Sequence, residues 1–159
     1  MNFVLYFIPS CFLYHSLEYL LHSLGHSYKY GSYIYKIHKN QHTIHYPTTK
    51  LLSNEYRTTS VYGLPEGVIA YGPPVLLFFS FLYFTVKFDT FLIITSELLF
   101  ISYLSDYLHS QIHLSGSWLE EYKWFQKKRK EHFIHHRNTN HNMNIICFTI
   151  DKWYKTYKY

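Results

Sequence analysis

The stretch VIAYGPPVLLFFSFLYFTV, from Val68 to Val86, has no charged residue over 19 positions. As a helix it has about the length needed to cross the hydrocarbon core of a bilayer. After the short polar interruption Lys87–Asp89, the run TFLIITSELLFISYL from Thr90 to Leu104 is apolar again except for Glu97. Residues 68–104 therefore predict a membrane-embedded helical hairpin, and the alternative is a buried helix pair in a soluble bundle.

The composition favours one helical domain at a lipid–water boundary. The chain has 159 residues, 12 of them histidine, and aromatic residues make up 21% of it. Tyrosine and histidine are amphipathic, so they suit a protein at a membrane surface or around a polar site. Alternating strand patterns are scarce, and no break in composition separates a second core. We therefore predict an all-α fold in a single domain over residues 1–159.

The amino-terminal segment and the cysteines bear on three other classes of protein. Residues 1–14 are apolar but lack a basic start and a small-residue cleavage signature. This pattern favours an amino-terminal apolar helix, buried or in the membrane, over a removable signal peptide. Cys11 and Cys147 form no Cys-x-x-Cys pair. A zinc finger is therefore excluded, and a disulfide framework is not expected.

Charge indicates which face of the membrane the histidines occupy. A hairpin returns both of its flanks to one side, so the histidines lie there together with the basic cluster Lys127–Lys130. An excess of Lys and Arg is typical of the cytoplasmic face. We therefore interpret the excess of 15 Lys+Arg over 10 Asp+Glu as a lipid-facing surface without a nucleic-acid partner. A basic nucleic-acid-binding protein is the competing interpretation.

Histidines recur at metal-ligand spacing on both sides of the predicted hairpin. Residues four apart on a helix are neighbours, so His22 and His26 can point to one ion, and His109 and His113 repeat the spacing. Two further groups contain His38, His42 and His45, and His132, His135 and His136. Imidazole suits iron, zinc, copper or nickel, and so many donors exceed the needs of one ion. We predict a two-metal centre in histidine-rich helical segments over residues 15–45 and 106–136.

Two acidic residues accompany the histidines. On a helix, Glu18 lies on the same polar face as His15 and His22, and Asp106 lies one turn before His109. A carboxylate near a metal ligand can accept a hydrogen bond from the second ring nitrogen and so orient the imidazole. Glu18 and Asp106 are candidates for this role. The alternative for both is ordinary helix solvation or capping.

The order and spacing of these motifs resemble those of the fatty acid hydroxylase and sterol desaturase superfamily. The family's histidine boxes are matched by EYLLHSLGH (18–26), HKNQH (38–42), HSQIH (109–113) and HFIHH (132–136), with a hairpin between the second and third. The resemblance covers residues 15–156 and includes Asp151 followed by Thr156. The chain departs from the pattern at Gln41, where the second box usually has a histidine.

The resemblance implies a ligand set and a metal. The implied ligands are His22, His26, His38, His42, His109, His113, His132, His135 and His136. The candidate substitutes for the missing imidazole are Gln41 itself, His45 and His15. Two bound irons would use dioxygen as co-substrate, whereas zinc suits the same ligands but performs no redox step. The alternative is a catalytically degenerate metal-binding membrane protein of the same fold.

The resemblance also implies a reaction and its surroundings. The expected function is an oxygen-dependent lipid hydroxylase, with a fatty-acyl chain favoured over a sterol as substrate. A carotenoid hydroxylase or a desaturase is a close alternative. Electrons would come from a cytochrome b5-type donor and its reductase. The implied location is the endoplasmic reticulum membrane, with the histidine boxes facing the cytoplasm.

Overall fold

Helices are the regular elements of the chain wherever the structure describes it. The computed structural model describes residues 3–57 and 65–159. In these ranges the α-helices are α1 (Phe3–Gly25), α2 (Tyr28–Asn40), α3 (Pro65–Thr85), α4 (Phe88–His113), α5 (Lys123–Arg137) and α6 (Thr149–Trp153). A π-helical turn, Gln41–His45, continues α2, and a 3-10 turn, Trp118–Glu121, precedes α5. The predicted all-α class is confirmed.

Helix α4 is the one helix within the described ranges that is long and apolar enough to cross a membrane. Its 26 residues give a length of about 39 Å at roughly 1.5 Å per residue. In α3 the described side chains begin at Tyr71, so the stretch Tyr71–Thr85 covers part of the uncharged run from Val68 to Val86. Pro73 and Pro74 lie inside α3. Length and composition therefore identify one candidate span, and the paired spans of a membrane hairpin stay a prediction.

Large apolar side chains face outward on α3 and on the first half of α4. Leu77 is 72% exposed, Phe84 is 83% exposed and Phe100 is 56% exposed. Contiguous exposed apolar surface is typical of contact with lipid or with another protein. The sequence pattern ended the second apolar run at Leu104, but α4 continues to His113 and buries the side chains of its last turns. One helix thus joins an apolar outer region to a buried polar one.

The buried polar region is held by a small apolar core and by a backbone bridge. Helix α1 packs against α2, α4 and α6, and α4 packs against α5. The core consists of Ile112, Leu119, Phe125 and Ile145. The amide of Ser53 donates to the carbonyl of His113 at 2.8 Å, and the amide of Ser115 donates to the carbonyl of Ser53 at 2.8 Å. The segment after the π-helical turn is therefore fixed against the end of α4.

Candidate metal centre

The nine predicted metal ligands come together in two clusters. Cluster I contains His22, His26, His38, His42 and His135, and cluster II contains His109, His113, His132 and His136. Within each cluster the candidate ligand nitrogens all lie within 4.8 Å of one another. The clusters adjoin, because the rings of His42 and His136 stack with their centroids 4.1 Å apart. Each cluster could hold a metal ion.

Two helical segments contribute side chains to both clusters. On α5, His135 belongs to cluster I, whereas His132 and His136, one turn apart, belong to cluster II. Neighbouring residues on a helix point about 100° apart, so α5 runs between the clusters. At the π-helical turn, His42 belongs to cluster I while the side chain of Gln41 lies beside cluster II. The wide turn is closed by the amide of Tyr46, which donates to the carbonyl of Gln41 at 2.9 Å.

Main-chain carbonyls fix the orientation of four rings. His135 Nδ1 donates to the carbonyl of residue 141 at 2.7 Å, and His22 Nδ1 donates to the carbonyl of residue 143. His113 Nδ1 donates to the carbonyl of residue 51 at 2.8 Å, and His136 Nδ1 donates to that of residue 46 at 3.2 Å. A carbonyl oxygen only accepts, so Nδ1 holds the proton in each neutral ring. The lone pair at Nε2 is then available to a metal ion.

The inner nitrogens of cluster II approach one another too closely for neutral rings alone. The Nε2 atoms of His109, His113 and His136 each lie 3.0 Å from His132 Nε2. His132 Nε2 carries at most one proton, which can serve only one of these three contacts. Unless His109 supplies a second proton, the other two contacts bring lone pairs face to face. Two nitrogens bound at right angles to one ion at about 2.1 Å lie roughly 3.0 Å apart. The spacing therefore fits a shared metal ion.

Cluster I has the same spacing. His38 Nε2 lies 2.9 Å from His26 Nε2 and 3.0 Å from His42 Nε2. His26 Nε2 also lies 3.1 Å from His135 Nε2. The buried Nε2 atom of His22 has no hydrogen-bond partner among the residues that the structure describes. A buried nitrogen without a partner is costly, and a metal ion at this position would satisfy it.

Burial keeps these imidazoles in the form that binds metal. Burial, followed by the neighbouring imidazoles, lowers the pKa of His26, His42 and His136 to about 2. The same causes hold the pKa of His38, His132 and His135 well below the ordinary histidine value. The rings are therefore neutral at physiological pH. A neutral imidazole is the form that coordinates a metal ion.

The three candidate substitute ligands lie in different places. His15 is buried, and its Nδ1 lies 3.4 Å from Glu18 Oε2, outside both clusters. His45 is half-buried at the end of the π-helical turn and also belongs to neither cluster. Only Gln41 approaches a cluster among these three, with its Nε2 atom 3.3 Å from His109 Nε2. The structure therefore brings one of the three substitutes to the site.

Of the two acidic residues, Glu18 binds groups outside the two clusters in its described contacts. Glu18 accepts hydrogen bonds from Ser105 Oγ at 2.5 Å and from Asn144 Nδ2 at 2.9 Å. Asp106 is buried, and its Oδ1 atom has no hydrogen-bond partner among the described residues. Main-chain carbonyls orient four of the clustered rings, and the role of Asp106 beside His109 stays a prediction.

Asp151 fixes the loop that orients two ligands of cluster I. Its carboxylate accepts from the amide of Met143 at 2.7 Å, from the amide of Asn144 at 3.0 Å and from Thr156 Oγ1 at 2.9 Å. The same loop provides the carbonyls of residues 141 and 143. The spacing of Asp151 and Thr156 was a signal in the sequence. The carbonyls were not predicted, because they have no side-chain signature.

An apolar cavity reaches both clusters. It has a volume of about 490 Å³ and lies between α1, α3 and α4. Apolar side chains form most of its wall, including Leu17, Leu21, Phe78, Phe79 and Leu98. At its polar end it is lined by His22 and His38 of cluster I, His109 of cluster II, and Gln41. The cavity suits an apolar chain with one part placed beside the candidate metal sites.

The donor set and the geometry agree on the kind of ion. An all-imidazole environment suits iron, zinc, copper or nickel and is a poor match to calcium or magnesium, which prefer oxygen. The neutral rings, their fixed orientation and the nitrogen spacing all fit such an ion at each cluster. Comparisons with protein-family models, with curated proteins and with solved structures found no match. The candidate metal centre is therefore characterised by its own geometry.

Proposed function

We propose that this chain is an oxygen-dependent lipid hydroxylase of the fatty acid hydroxylase and sterol desaturase superfamily, with an iron ion at each histidine cluster. The observation that supports it is the apolar cavity that ends at both clusters. A cavity of this kind can hold an aliphatic chain while the imidazoles hold the metals. A metal store or a purely structural metal site has no need for such a cavity.

Different groups of the chain would bind the metal ions, orient the ligand rings and exclude water. When bound, iron supplies the redox chemistry: one atom of dioxygen enters a C–H bond and the other leaves as water, using two electrons and two protons from an external donor. The imidazoles of the clusters hold the ions, and the main-chain carbonyls keep the rings in position. The apolar wall positions the substrate and keeps bulk water from the reacting carbon.

The outer apolar surfaces support a place in the membrane. Helix α4 is long enough to span it, and α3, which precedes it in the chain, would be the other arm of the proposed hairpin. The clusters would then lie at the cytoplasmic face of the endoplasmic reticulum membrane, where a fatty-acyl chain enters the cavity from the lipid. A cytochrome b5-type donor with its reductase would deliver electrons from the same side.

Labelling with heavy dioxygen tests this function. Cells that express the chain are grown under isotope-labelled dioxygen, and their lipids are compared by mass spectrometry with those of cells expressing His135→Ala. We expect a lipid with one labelled oxygen atom that the variant does not make. His45→Ala is the matched control, because His45 belongs to neither cluster. Identical lipid profiles for the parent chain and His135→Ala would contradict the proposal, and a labelled carotenoid would identify the hydroxylase of that class.

A metal-binding protein without turnover is the second candidate, and Gln41 favours it. An amide beside cluster II replaces an imidazole that active members of the proposed family have. In that case the detergent-purified protein would bind metal at the clusters, but no labelled lipid would appear. The same pair of measurements, metal content and lipid labelling, therefore separates the two functions.

A further inference from the structure

The buried side chain of Gln41 lies at the edge of cluster II. It is 9% exposed, and its Nε2 atom is 3.3 Å from His109 Nε2. The oxygen and nitrogen of a terminal amide exchange places by a rotation about the last side-chain bond, so Oε1 can occupy the same position. A cation bound to His109 attracts the oxygen and repels the amide hydrogens. Gln41 is therefore positioned to offer an oxygen to an ion in cluster II.

Where cluster II has the amide of Gln41 beside its four imidazoles, cluster I has a fifth imidazole. Its ring nitrogens come from His22, His26, His38, His42 and His135, one more ring than cluster II provides. His42 follows Gln41 directly in the chain, so the π-helical turn presents an imidazole to one cluster and an amide to the other. His15 and His45 belong to neither cluster. The additional donor that this chain offers to cluster II is therefore the amide of Gln41.

We propose that Gln41 makes the two metal sites unequal, so that cluster II binds its ion more weakly than cluster I, with Gln41 Oε1 as a weak additional ligand. An amide oxygen is a poorer donor than imidazole for iron, cobalt or zinc. Mutation of groups that merely orient a ligand typically changes metal affinity by about 10- to 100-fold. Exchange of a direct donor changes it by at least as much.

Gln41 also lies on the side of cluster II that faces the apolar cavity. Gln41 and His109 both line the apolar cavity. The coordination position beside Gln41 therefore faces the space that the substrate would fill, whereas the carbonyl-anchored rings of His113 and His136 hold the ion from other sides. An exchangeable position on the cavity side is where a small molecule can replace the amide oxygen.

Metal titration tests the inequality without any turnover. The inference rests only on the metal-binding part of the proposed function. Metal-free, detergent-purified full chain is titrated with Co2+, whose visible absorption reports its ligands, against a competing chelator. We expect two binding events whose dissociation constants differ by at least about tenfold. His109→Ala should remove the weaker event and leave the tighter one.

Substitutions at Gln41 should move the weaker event alone. Gln41→His and the isosteric Gln41→Glu should each lower the weaker dissociation constant by about 10- to 100-fold, and either variant suffices if the other does not fold. Two equal affinities in the parent chain, or an unchanged weaker constant in the folded Gln41 variants, would overturn this inference alone. Absence of Co2+ binding would overturn it together with the proposed metal centre. Unequal binding without any labelled lipid would leave it standing and remove the hydroxylase.

Discussion

The histidine region and the apolar region of this molecule follow opposite rules. In the histidine region, polar rings are buried and four of them are anchored to main-chain carbonyls. In the apolar region, large side chains such as Leu77 and Phe84 face outward. Helix α4 belongs to both, with Phe100 exposed in its middle and His113 fully buried at its end. The comparison predicts that one region determines chemistry and the other determines location, and substitutions confined to one region test this.

The largest effect should come from His132→Ala. His132 Nε2 lies at the centre of cluster II, 3.0 Å from the Nε2 atoms of three other histidines. Its removal should eliminate the ion of cluster II and all labelled lipid, because the remaining rings no longer surround one point. Metal analysis of the purified protein and lipid mass spectrometry measure both results.

Membrane extraction provides the control for His132→Ala. The variant should stay in the membrane fraction after carbonate treatment, since no outward-facing apolar residue has changed. His45→Ala, outside both clusters, should keep its metal. Full metal content in His132→Ala would contradict the division into two regions.

Phe100→Lys should weaken membrane insertion and leave metal binding unchanged. Phe100 is 56% exposed near the middle of the candidate span. A lysine at the centre of a spanning helix costs about 3 kcal/mol of insertion free energy. The fraction of chain that resists carbonate extraction should therefore fall, while the chain that remains inserted should keep its metal content.

Trp124→Lys is the matched substitution for Phe100→Lys. Trp124 is 52% exposed but lies on α5, outside the candidate span. The same new charge there should leave extraction unchanged. Equal behaviour of the two variants would show that α4 does not lie in lipid.

The smallest of these effects, and the most selective, is expected for Asp151→Asn. Asn keeps one acceptor oxygen but turns an amide group toward a main-chain N–H, so one of the bonds to Met143 and Asn144 is lost. The free energy of unfolding should fall by about 1–3 kcal/mol, as chemical denaturation can measure. Metal affinity at cluster I should fall by about 10- to 100-fold, because the loop orients His22 and His135.

Cluster II is the internal reference for Asp151→Asn. Its rings are anchored to residues 46 and 51 instead, so its Co2+ affinity should stay unchanged. Asp89→Asn, at an exposed position in the first turn of α4, controls for the loss of a negative charge. An equal loss at both clusters would mean that Asp151 supports the whole fold and not one site.

The sequence predicted the helical class and the histidine groups better than the way in which the helices pack together. The scarcity of strand patterns predicted the all-α class. Recurrent i, i+3 and i, i+4 spacing indicated ten histidines, because it depends on local geometry, and nine of them cluster while His45 does not. The division into two clusters depends on how α1, α2, α4 and α5 pack. No local pattern indicated that His135 and His136, adjacent on α5, would face different clusters.

Sequence patterns also did not indicate the π-helical turn or the partners of Glu18. The π-helical turn at Gln41–His45 is a departure of one residue in hydrogen-bond register, which hydrophobic periodicity does not report. Spacing made Glu18 a candidate to orient a ligand, yet its shortest described contacts are with Ser105 and Asn144, which come from distant parts of the chain. Spacing along the sequence contains neither this change of register nor the tertiary contacts of Glu18.

The carbonyl anchors affect what a mutational scan of this protein can detect. The oxygens that orient His22 and His113 belong to residues 143 and 51, and every amino acid provides such an oxygen. The side chains at these positions, Leu51 and Met143, are themselves buried. A scan of all substitutions would therefore score them by the packing that each substitution loses. Such a scan measures the side chains and leaves the oxygen atoms that hold the rings unseen.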